Sequence, residues 1–158
     1  MSVNPQLVRE MLARDQQAAE QLLTLLQQES EILKQRDHEA LATLVEAKSE
    51  YINILEAHAG ERTALLKSLS LPADSNGWLS YMQNQTELTP MISAWEELQQ
   101  TLAHCKKRNE INGKLIGRSQ QTLKRLVNLI KGKTESSELY NAKGGTTNSS
   151  LSNTVVKA

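Results

Sequence analysis

Histidine, cysteine and closely spaced carboxylates are the side chains that hold metals or move protons near neutral pH. In this chain of 158 residues they are scattered. His38, His58 and His104 lie far apart, and none follows a Glu by three positions, so the Glu-x-x-His pairs of di-iron helical bundles are missing. His104 and Cys105 are neighbours, which on a helix turns them about 100° apart and unsuits them to one metal. No glycine-rich phosphate loop follows a strand. Cys105 is the single cysteine, so an intramolecular disulfide is excluded. With no base beside it, it reads as a small hydrophobe in a helix seam. These patterns point away from enzyme, metal and cofactor chemistry.

Two other sets of residues invite chemistry of a different kind. Charge is divided unevenly: residues 1–100 hold 7 Lys/Arg against 15 Asp/Glu, and residues 101–158 hold 11 against 3. The second half could bind a partner through a basic surface, or the two halves could attract each other once folded. Asn109 and Asn112, followed by Gly113 and Gly117, sit in an otherwise apolar helical pattern. Buried amides there would either fix helix register or hydrogen-bond a partner helix brought close by the glycines.

The elements that must position these residues are long helices. Leu, Ala, Glu, Gln and Lys dominate, Phe is absent, and the hydrophobic fraction is 39%, which suits narrow seams over a thick core. Asn4-Pro5 is a cap-plus-proline signal for a first helix reaching about Lys34. Asp37 is placed to cap a second helix from His38, and the short link makes the two antiparallel neighbours. The second seam runs Leu41, Val45, Lys48, Ile52, Leu55, Ala59, Arg62, Leu66 and Leu69, with a bend or break allowed at Gly60. Pro72 ends it. Trp78, Leu79 and Met82 predict one or two helical turns in the connection.

Thr89 as cap and Pro90 at the first position open the last helix. From Met91 the seam continues through Trp95, Leu98, Leu102, Cys105, Asn109, Asn112, Ile116, Ser119, Leu123, Leu126 and Ile130 at spacings of four and three. This predicts one helix of roughly 60 Å, whose later apolar stripe its own bundle leaves uncovered. The fold class expected is all-α: a long antiparallel hairpin plus a long C-terminal helix. Residues 4–132 form the expected domain, and 133–158 a polar, disordered tail whose apolar pair is Leu139-Tyr140. The charged, glutamine-rich start lacks a signal-peptide core, and no apolar run approaches the roughly 20 residues that span a bilayer, so a soluble cytoplasmic protein is expected.

The segment from Cys105 to Ile116, with Asn109, Asn112, Gly113, Leu115 and Ile116 in place, resembles the Asn-x-x-Asn-Gly-x-Leu-Ile signature of the FlgN family. Leu22 to Leu55, including Asp37, Leu41 and Lys48, is similar to that family's helical hairpin, and Arg62, Leu65 and Leu66 to its second-helix end. Tyr140 and Gly144 match a Tyr-x-x-x-Gly segment in the tail, although Asn141-Ala142-Lys143 and the long polar extension depart from the family pattern. The resemblance implies a cytoplasmic, non-hydrolysing chaperone. It would bind the C-terminal helices of the hook–filament junction proteins FlgK and FlgL, prevent premature assembly and deliver them to the export gate. The family binds substrate through its C-terminal helix, which implicates Asn109, Asn112, Gly113, Leu115 and Ile116. Spacing extends the same stripe to Leu123, Leu126, Val127 and Ile130. Tyr140 would engage the gate protein FlhA.

Two other classes compete for the same residues. A structural coiled coil that self-associates would use the same seam, and homo-oligomerisation is left open. A nucleic-acid-binding helix would use the basic run from Lys106 to Lys133, although no recognised binding module accompanies it.

Overall fold

The computed structural model describes residues 3–113 and 120–132. Among them all regular structure is helical: α1 (Pro5–Gln35), α2 (His38–Ser68), α3 (Ser75–Asn84), a 3-10 turn (Thr89–Met91), α4 (Ile92–Gly113) and α5 (Gln120–Lys131). The tail that carries Tyr140 lies outside the described residues, as do Leu115 and Ile116.

Local chemistry sets the first two helices. Asn4 accepts from the Gln6 amide at 3.0 Å ahead of Pro5, and Asp37 accepts from the Ala40 amide at 3.1 Å. Each satisfies a helix-start donor that no carbonyl can reach. Arg36 turns the chain between them in the left-handed region at φ 56°. Gly60 does not break α2, which runs unbroken to Ser68.

The hairpin register is written in buried ion pairs. Asp15 of α1 meets Arg62 of α2 at 2.7 Å and also His58, while Glu29 meets Lys48 at 2.6 Å. The acids are two heptads apart on α1 and their bases two heptads apart on α2, with buried Leu22 and Leu55 midway. Only one antiparallel alignment satisfies both pairs. Lys48 and Arg62, apolar-seam positions by spacing, are therefore buried charges with partners. Val45 departs from the expected seam: it is exposed, and Leu44 takes the inward place.

Helix α4 lies along α1 in the parallel sense. Gln16 bonds Thr101 at 3.0 Å, the Cys105 thiol faces the Ala19 carbonyl at 3.5 Å, and Asn112 donates to the Leu26 carbonyl at 2.7 Å. Trp78, Tyr81 and Met82 of α3 are buried at the end where α2 finishes and α4 starts. There the Trp78 ring sits edge-on to Trp95 at 6.3 Å, and the Arg62 guanidinium covers Trp95 at 5.1 Å. Thr89 does not cap α4; its hydroxyl bonds back to the Gln85 carbonyl at 3.1 Å.

The expected single helix from Thr89 to Ile130 is corrected. Helix α4 runs to Gly113 among the described residues, and α5 packs back beside it, so the two are neighbours in a four-helix arrangement and not one rod. Gln99 of α4 and the Ile130 carbonyl of α5 meet on the same Ser75 hydroxyl, which sets α5 antiparallel to α4. The driving force is the apolar stripe of α5: continued straight it would face water, and folded back it is buried.

Candidate functional site

Helix α5 separates its apolar and polar faces more sharply than any other described helix. It occupies the groove between α2 and α4. Leu126 is fully buried there, Leu129 nearly so, and Leu123, Val127 and Ile130 are half-buried. The expectation of an uncovered stripe is thus overturned: the chain's own α2 and α4 already cover it. Leu129 was absent from the spacing-based stripe, although Leu126, Leu129 and Ile130 fall at helical spacings on one face.

Polar contacts hold α5 mainly along its edge and at its C-terminal end. Arg125 forks onto α2, with Nε 3.1 Å from Glu56 Oε2, a guanidinium nitrogen on the other Glu56 oxygen, and the same nitrogen 2.8 Å from Asn53. Ser75 donates to the Ile130 carbonyl at 2.6 Å, and Thr63 to the Gly132 carbonyl at 3.4 Å. Gly132 has φ +76°, and a Cβ there would lie 2.5 Å from the Ser75 nitrogen. The position requires glycine for both reasons.

The paired asparagines sit elsewhere. Asn109 and Asn112 are buried, and Asn112 lies on the face of α4 that meets α1. Asn112 donates to the Leu26 carbonyl and, at 2.9 Å, to Glu29, and it accepts from the Ser30 hydroxyl. Glu29 is thereby shared between Lys48 and Asn112, so one carboxylate ties α1, α2 and α4 together. Buried amides engaged in this way fix alignment. The structure thus brings Leu123, Leu126, Val127 and Ile130 together on α5, whereas Asn112 belongs to the α1–α4 seam and Asn109 is buried on α4 one turn before it. Gly113 closes α4.

Cys105 is buried, and loss of hydration of the thiolate pushes its pKa up to about 12, a shift opposed by a backbone hydrogen bond. It is a packing residue and a poor nucleophile. Among the described residues no group of three or more His, Cys, Asp or Glu is arranged to hold a metal, and no described helix is long and apolar enough to cross a membrane.

With this geometry the comparison with known proteins is specific. The family described as FlgN protein matches residues 1–148, nearly the whole sequence. The chain belongs to the FlgN family. A solved crystal structure of a flagella synthesis protein FlgN from Pseudomonas aeruginosa is similar to it, with 26% sequence identity and a TM-score of 0.70. The match covers 82% of this chain and 99% of that one. No curated protein sequence matches. In this FlgN-family chain both signature amides are buried, and that of Asn112 helps align α4 on α1.

Proposed function

We propose that this chain is a flagellar export chaperone that works in the cytoplasm without hydrolysing anything. In this reading it binds the C-terminal helices of FlgK and FlgL, keeps them from assembling early and hands them to the export gate. The observation that carries the reading is α5, a strongly amphipathic helix whose apolar face is already matched to a two-helix groove. A stripe that packs against α2 and α4 is chemically fit to pack against a client helix, as helix-in-groove recognition requires.

Leu123, Leu126, Val127 and Ile130 are the proposed client contacts, reached when α5 comes off its groove. Leu115 and Ile116 are proposed as further client contacts, and so are Asn109, Asn112 and Gly113, which precede them in the sequence. Each fully buried leucine-sized side chain contributes about 1.5–3 kcal/mol before ordering costs. Client and groove therefore compete for one face at comparable strength, which makes capture reversible. Tyr140 is the proposed contact with FlhA.

The test is a pulldown with C-terminal fragments of FlgK and FlgL. Replacing Leu123 and Ile130 together by Asp abolishes capture while helical content, read by circular dichroism, stays largely intact. Undiminished capture rejects the site. Tyr140→Ala leaves capture unchanged and impairs export; loss of both would put the tail in the client site instead.

A further inference from the structure

A second surface lies across the bundle from α5, in the outer cleft between α1 and α4. It encloses about 270 Å³ and is lined by Leu23 and Gln27 of α1 and by His104, Lys107, Arg108 and Ile111 of α4. Ile111 is 42% exposed, one of few large apolar side chains that the fold leaves in water. Lys107 and Arg108 precede it by four and three residues, so all three line one stretch of the helix surface. Neighbouring Lys106 is neutralised by Glu110 at 3.1 Å. Lys107 and Arg108 have no ion pair or hydrogen bond among the described residues.

We infer that this cleft docks an acidic amphipathic segment of a partner protein. An apolar side chain of the partner enters between Leu23 and Ile111, and carboxylates one helical turn away meet Lys107 and Arg108. Charge complementarity selects this occupant. The volume falls below that of usual small-molecule sites but holds a side chain or two. Its lining is concave and carries no Phe, Tyr or Trp, so the single imidazole of His104 is the one ring it offers to a run of stacked bases. The cleft is separate from the α5 groove, and the inference does not rest on the chaperone reading.

The probe is a labelled, alanine-based helical peptide of about 14 residues, long enough to populate helix, carrying one Leu with Glu residues three and four positions away. Its twin has Gln in place of Glu. Binding to the full chain is read by fluorescence anisotropy at low and high salt. The Glu peptide binds, weakens with salt, and binds about tenfold more tightly than the twin, the equivalent of about 1.4 kcal/mol. The double variant Lys107→Glu with Arg108→Glu loses about the same factor, Ile111→Asp loses binding, and Lys107→Arg with Arg108→Lys keeps it. Absence of binding, equal binding of the Gln twin, or indifference to these substitutions overturns the inference. So does competition by duplex DNA, which would make the surface a phosphate binder. A change in the chain's own mass-against-concentration profile on Ile111→Asp would assign the cleft to a second copy, and overturns it too. No client fragment enters the assay, so its failure leaves the chaperone reading untouched.

Discussion

The α1–α4 seam and the α5 groove are both helix-on-helix contacts, yet they are held by different means. The seam is threaded with polar groups bonded across it: Gln16 to Thr101, and the buried Asn112 to Leu26, Ser30 and Glu29. Across α1 and α2 the same logic runs through Asp15 with Arg62 and Glu29 with Lys48. Among the described residues the α5 contact is apolar at its centre and polar at its margins, where Arg125 and the Ser75–Gly132 end hold it. A buried polar group left unpaired is costly, so the seam resists sliding or opening. An apolar face is indifferent to which apolar surface covers it. The frame of α1, α2 and α4 is therefore specified, whereas the proposed client site requires its cover, α5, to be exchangeable.

Breaking the frame has the largest expected effect. Asp15→Ala leaves Arg62 buried without its carboxylate and destabilises the chain by about 3–5 kcal/mol, read by denaturant unfolding. Replacing Leu126 by Ala costs about 2–5 kcal/mol of local contact. If α5 leaves alone, as the chaperone reading requires, the loss of global stability stops at its docking free energy, and hydrogen exchange rises across α5 while α1 and α4 keep their protection. If α1 and α4 lose protection equally, the distinction between frame and cover fails. Gly132→Ala places a Cβ against Ser75 at a left-handed φ and costs about 1–2 kcal/mol, again confined to the end of α5.

Cys105 sharpens the same contrast from inside the seam. With its pKa raised to about 12 the thiol stays protonated at pH 8.5, so alkylation there waits for the seam to open. Substitutions that only loosen α5 leave the alkylation rate unchanged; Asn112→Ala, which strips the seam of its shared amide, accelerates it.

Much of the frame was legible from residue types. Asn4 and Asp37 cap where their side chains predict, and Cys105 packs as a small hydrophobe. The acids that lock the hairpin carry a fainter signal: Asp15 and Glu29 flank Leu22 at seven-residue intervals, the spacing that sets Lys48 and Arg62 about Leu55. Helix periodicity reports which residues share a face, and it does not report whether a chain continues straight or doubles back. The stripe through Leu123 and Leu126 keeps its spacing in either case, so the sequence pattern read as one long helix with an open face. Only the tertiary contacts of α5 distinguish the two, and they depend on α2 residues such as Asn53 and Glu56 that no seam pattern singles out.

The smallest structural change bears most directly on the exchangeable cover. Glu56 lies on α2, outside the proposed client contacts, and its pair with Arg125 is partly exposed, worth about 0.2–1 kcal/mol. Glu56→Lys removes that hold and sets like charge against Arg125, raising the fraction of chains with α5 undocked. Affinity for the C-terminal fragments of FlgK and FlgL, measured by calorimetry against the unsubstituted chain, then rises severalfold with the stripe of α5 intact. An unchanged or weakened affinity would contradict the account, because the face that closes the groove would not be the face that takes the client.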